Sequence, residues 1–71
     1  MAGSVYRVTE IIGTSPNSFA EAAKNAIETA ANTVRDLRIA EVVRQDVAIE
    51  DGKVASYRVR LAVSFKYEGS G

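Results

Sequence analysis

The chain has 71 residues, nine Lys and Arg against nine Asp and Glu, and no His, Cys or Trp. Without Cys there are no disulfides or thiolate zinc sites, and without His there is neither Ser-His-Asp nor Cys-His catalysis. A domain this small draws only about 3–5 kcal/mol from one core, so oligomerisation is the remaining support, and zero net charge argues against nucleic acid as a partner.

Met1-Ala2-Gly3-Ser4 has no basic stretch leading into an apolar one, and no apolar run nears the ~20 residues of a membrane span. The expectation is a cytoplasmic protein with no membrane partner. Val5 to Ile12 is β-branched and aromatic and predicts a first strand over 5–12, ended by Gly13 and a turn cluster through Asn17. Ser18 and Glu21 have the spacing of a capping box and open a helix over 18–35. Its apolar stripe is Phe19, Ala22, Ala23, Ala26, Ile27, Ala30, Ala31 and Val34. Mostly alanine, that stripe requires whatever packs on it to come close.

A second strand is predicted over 39–50, Asp51-Gly52 as a type I′ hairpin turn, and a third strand over 53–67. In the third, Ala55, Tyr57, Val59, Leu61, Val63, Phe65 and Tyr67 alternate with Ser56, Arg58, Arg60, Ala62, Ser64 and Lys66. The Gly69-Ser70-Gly71 end reads as a tail. Residues 1–71 thus form one α+β domain of order β-α-β-β. A right-handed crossover and a central third strand give an antiparallel sheet of order 1-3-2, with the helix on its apolar face.

An unbroken register from the turn sets Val42 opposite Leu61, Ala40 opposite Val63 and Gln45 opposite Arg58. Ile39, Gln45, Val47, Arg58 and Ser64 then share the face away from the helix, while Arg44 and Asp46 lie on the side of Val59 and Tyr57. A β-bulge would change this. The hairpin, at ~3.3 Å per residue, outruns a four-turn helix, and its uncovered ends suit subunit contact.

Chemistry-bearing groups are few. Glu41 with Arg44 or Arg60 reads as an ion pair between strands or subunits, in preference to a functional carboxylate. Arg58, Arg60 and Lys66 could hold a phosphate, but a cross-strand charge ladder is the favoured reading. Tyr6, Tyr57 and Tyr67 read as packing residues ahead of ligand stacking. Glu50 and Asp51 could contribute to a hard-cation site, although no calcium-loop pattern surrounds them. Gly13-Thr14-Ser15-Pro16 lacks the spacing of a phosphate loop. No activated nucleophile is present, so the expectation is a protein that is not an enzyme.

The run from Val5 to Pro16, Leu37-Arg38, Glu41-Val42, Ile49 to Ala55 and Val63-Ser64-Phe65 resembles dodecins over nearly the whole chain. The resemblance implies a hollow homododecamer of 23 symmetry that binds small molecules and stores flavin, FMN or riboflavin, with paired rings stacked between tryptophans. Residue by residue, the stacking Trp of the family falls at Ile39 and the ring-binding Gln at Arg58. The Arg-Gly pair of the second strand falls at Asp46-Val47, and a third-strand Gly at Ser64. Loss of the Trp removes a stack worth ~0.5–1.5 kcal/mol beyond its buried area. A guanidinium, moreover, offers donors only, where an amide both donates and accepts. An aliphatic residue at the Trp position resembles the calcium-binding branch of the family. The alternative to a flavin store is therefore a structural assembly that binds calcium or another divalent cation without flavin. A cage with no ligand role is a third reading.

Overall fold

The computed structural model describes residues 3–66. In chain order these form β1 (Tyr6–Ser15), α1 (Phe19–Ala30), β2 (Leu37–Glu50) and β3 (Lys53–Lys66). Both β1 and β2 pair antiparallel with β3, giving the order β1-β3-β2. Tyr67, the expected last residue of the third strand, and the Gly69–Gly71 tail lie outside the described residues.

Three boundaries differ from expectation: β2 starts two residues early, at Leu37, and the ends of β1 and α1 shift. β1 continues through Gly13 to Ser15, because Gly13 does not end the strand but lets the helix sit on it. A Cβ there would lie 2.1 Å from the Ala22 carbonyl oxygen and 2.7 Å from Ala26 Cβ. The helix, by contrast, ends at Ala30 rather than 35. The Asn32 and Thr33 N–H groups donate three residues back, to Thr29 O at 3.2 Å and Ala30 O at 3.1 Å. The last turn tightens, and Asp36, at φ 58°, redirects the chain.

The N-terminal cap forms in part. Ser18 Oγ accepts the Glu21 N–H at 3.0 Å, but the Glu21 carboxylate turns toward β1 instead of closing the box. It accepts from the hydroxyl of Ser15 and from Asn17 Nδ2 at 2.7 Å. Ser15 is buried, and its Oγ also accepts the Asn17 N–H at 2.9 Å. These bonds, Ser15 first and Asn17 second, hold the Glu21 carboxyl below its ordinary 4.5 against a smaller opposing effect of desolvation. The cluster ties the β1–α1 turn together.

Ala22, Ala26, Val59, Leu61 and Val63 form the buried core. Around it lie Ile11, Phe19, Ala23, Ile27, Leu37 and Ala40, partly buried. Phe19 meets Tyr57 edge-on, ring centroids 5.1 Å apart, so Tyr57 is a packing residue. The molecule is long for its mass, 56 × 20 × 15 Å, with a radius of gyration of 14.8 Å where about 11 Å is usual. It exposes 5344 Å², against about 4,300 Å² for a folded monomer of this size. No helix among the described residues is long and apolar enough to cross a membrane.

The register corrects the unbroken hairpin. Val42↔Leu61 and Ala40↔Val63 stand as expected, but Val43 is an extra residue, and beyond it Arg44 faces Arg60, Gln45 faces Val59, Asp46 faces Arg58 and Val47 faces Tyr57. A second shift between Ala48 and Ile49 restores Ile49↔Val54 and Glu50↔Lys53 at the turn. Gln45 is therefore not opposite Arg58, and Arg44 and Asp46 do not share the side of Tyr57. A one-residue slip moves every side chain to the other face. Here it carries two charged groups off the helix side and brings Val47 to it.

Candidate functional site

The face of the sheet turned away from α1 concentrates charged side chains beside exposed apolar ones. Alternation fixes its members. Val59, Leu61 and Val63 point at the helix, so Arg58, Arg60, Ala62 and Ser64 point away, and their register partners go with them. Four rows cross the three strands: Val8–Ser64–Ile39, Glu10–Ala62–Glu41, Ile12–Arg60–Arg44 and Thr14–Arg58–Asp46. Tyr6 extends this face beyond Val8, in register with Lys66.

In the last row Arg58 grips Asp46 with both arms, Nε to Oδ1 at 2.8 Å and Nη2 to Oδ2 at 3.4 Å. Nearly half of each side chain is in water, which keeps the pair to about 0.2–1 kcal/mol. Arg60 Nη1 approaches Glu10 Oε1 at 3.9 Å. Ile12, Arg44, Asp46, Arg58 and Arg60 line a small cleft of about 110 Å³. At the other end of the sheet Ile39 is 68% exposed, and Ser64 Oγ donates to its carbonyl oxygen at 3.4 Å.

Of the residues singled out from the sequence, Ile39, Arg58 and Ser64 do lie on this outward face. Gln45 and Val47 do not: the Val43 bulge turns them to the helix side. Ile39 and Ser64 are register partners, whereas Arg58 sits six residues along β3, about 20 Å away. Glu41, Arg44 and Arg60 share the outward face, but the carboxylate that reaches Arg60 is Glu10. Glu50 and Asp51 are exposed at the hairpin tip. Sequence reasoning missed Glu10 and Ile12, although the alternation Val8, Glu10, Ile12, Thr14 carries the signal. It also missed Asp46 as the partner of Arg58, for which the bulge leaves no signal in composition.

These positions do not fit a flavin ring. Ile39 offers no aromatic face where the resemblance places one, and Arg58, where the resemblance places an amide, is engaged by Asp46. Among the described residues, no group of three acidic side chains converges within the chain.

A family model described as Dodecin matches residues 5–68. The chain is 48% identical over 63 residues to the calcium dodecin of Mycobacterium tuberculosis, covering 89% of each. The crystal structure of that protein, described as calcium chelating with a novel calcium-binding site, superposes with a TM-score of 0.82 at 46% identity, over 96% of this chain and 97% of the other. Dodecin from Streptomyces coelicolor superposes with a TM-score of 0.91 at 43% identity, over 99% and 100%. The shared element order, sheet order and near-complete match lead to one conclusion: the chain belongs to the dodecin family.

Proposed function

We propose that this chain assembles with copies of itself into a dodecin shell that binds calcium, or a similar hard cation, in place of flavin, and that it catalyses no reaction. The observation that carries the reading is the Arg58–Asp46 pair at 2.8 Å standing where the family resemblance places flavin-binding groups. A ring approaching there would meet a guanidinium already shared with Asp46 instead of a donor–acceptor amide, and Ile39 supplies no aromatic stack from any copy.

Assembly is supported by the excess surface of the isolated chain and by its exposed apolar groups, among them Val8, Ile12 and Ile39 on the outward face. Calcium is supported by the named chemistry of the M. tuberculosis relative and by carboxylates that face outward, Glu10 and Glu41, or stand at the tip, Glu50 and Asp51. Calcium takes six to eight oxygens. With no three acidic groups together among the described residues, carboxylates from more than one copy, main-chain carbonyls and water would complete its shell.

Riboflavin fluorescence should stay unquenched at micromolar protein, while added calcium raises the melting temperature and chelator lowers it. Saturable quenching, or melting curves indifferent to both treatments, would overturn the reading.

A further inference from the structure

We infer that Arg44 and Arg60 form a binding site for the phosphate monoester group of a small molecule. The two arginines are direct register partners, and like charges directly opposite each other weaken a sheet. Their neighbours do little to offset this. The Asp46 carboxylate lines the same cleft but is engaged by both arms of Arg58. Glu10 touches Arg60 only at 3.9 Å. Among the described residues, no carboxylate forms an ion pair with Arg44.

The arrangement is imposed by the backbone. Without the extra residue Val43, Arg44 would point to the helix side and Arg60 would have no cationic partner. Bulges of this kind commonly re-aim a side chain beside a functional site. Here the bulge delivers a second guanidinium into the cleft walled by Ile12, Arg58 and Asp46.

The chemistry of the cleft selects its occupant. Each guanidinium presents five N–H donors in a planar fork that matches phosphate oxygens two at a time. Two facing guanidiniums call for two negative charges. A phosphate monoester carries about −1.5 to −2 at pH 7, whereas one carboxylate would leave one arginine uncompensated. The inference does not depend on whether the assembly takes calcium, so its test is run in metal-free buffer.

The full chain is titrated calorimetrically at low ionic strength with inorganic phosphate, AMP and adenosine, and its mass is followed by light scattering. Phosphate and AMP should bind saturably and adenosine should not. Arg44→Ala and Arg60→Ala should each weaken AMP at least tenfold with the assembly mass unchanged. Should either variant fail to fold, Arg44→Lys keeps the charge but loses the fork, and it too should weaken AMP at unchanged mass. Failure of AMP to bind the unmodified chain, equal binding of adenosine, or full AMP affinity in the variants would overturn the site. So would loss of assembly on Arg44→Ala or Arg44→Lys, because Arg44 would then be pairing with a carboxylate of a second copy.

Discussion

Replacing Gly13 by Ala should push the helix off the sheet. The added Cβ would stand 2.1 Å from the Ala22 carbonyl oxygen and 2.7 Å from Ala26 Cβ, where carbon–oxygen contacts normally fall near 3.3–3.6 Å. The nearer obstacle is helix backbone, not the end of a flexible side chain, so the helix must retreat by about 1 Å. A gap of that size forfeits a quarter to a half of each dispersion contact it opens. Ala22 and Ala26 are two of the five core residues, and both lose contact with β1. Overpacking of a close-packed site costs about 1–3 kcal/mol, and a backbone obstacle belongs at the upper end. With about 4–8 °C of melting temperature per kcal/mol in a domain this size, about 3 kcal/mol lowers the midpoint by about 12–24 °C. The assay is thermal unfolding by circular dichroism at matched protein concentration. Gly52→Ala is the companion: φ is +73° there, with nothing within 4 Å of the added atom, so only the left-handed backbone costs, about 1–2 kcal/mol. A Gly13→Ala protein melting no lower than Gly52→Ala would refute the close-approach reasoning.

Asp46→Ala should cost less than about 1 kcal/mol at low salt and almost nothing at 1 M, because the Arg58 pair is nearly half exposed on both sides; a large, salt-independent loss in a melting series would contradict this. The Glu21 carboxyl is held below 4.5 in the folded chain by Ser15 and Asn17. Its contribution to stability is therefore complete above that value and disappears as pH falls through the folded-state value. Melting temperature plotted against pH should fall less steeply below pH 4.5 in Glu21→Gln than in the unmodified chain, and parallel curves would count against the assignment. Asp51 sits at φ 52° in the hairpin turn, so Asp51→Val should cost about 1–2 kcal/mol while Asp51→Asn is tolerated. Urea midpoints distinguish the two outcomes.

The fold was legible because its signals are local. Alternation along β3, the Ser18 cap and the Asp51-Gly52 turn each specify an element without help from the rest of the chain. The reading of Gly13 failed for the opposite reason. A glycine that ends a strand and one that admits a helix look alike in sequence, and only the alanine stripe hinted at the second. The site was less legible still. Hairpin register is inherited from the turn only until a bulge intervenes, and the bulge at Val43 has no composition of its own: the residues on either side, Val42 and Arg44, read as ordinary alternation. One unpaired residue was enough to exchange Gln45 and Val47 for Arg44 and Asp46 on the outward face. Glu10 and Ile12 were readable from β1 alternation, but they gain meaning only once β1 is known to lie beside Arg60.

Charge placement on that face also bears on how a ligand could be held. Ile39 and Arg58 occupy family positions associated with one ligand, yet they lie about 20 Å apart along a single sheet, fixed there by the register Ile39↔Ser64 and Asp46↔Arg58. A rigid strand pair cannot bring them together, so under the proposed assembly a ring touching both positions would take them from two copies. The consequence reaches the substitutions themselves. Returning Arg58 to Gln in one chain would free Asp46 without supplying the ring that Ile39 lacks, and that ring would have to come from a neighbouring copy. On the proposed reading, neither substitution alone would supply both the ring and the amide. On that reading the Asp46–Arg58 pair and the aliphatic residue at 39 are one departure, and both would act where copies of the chain meet.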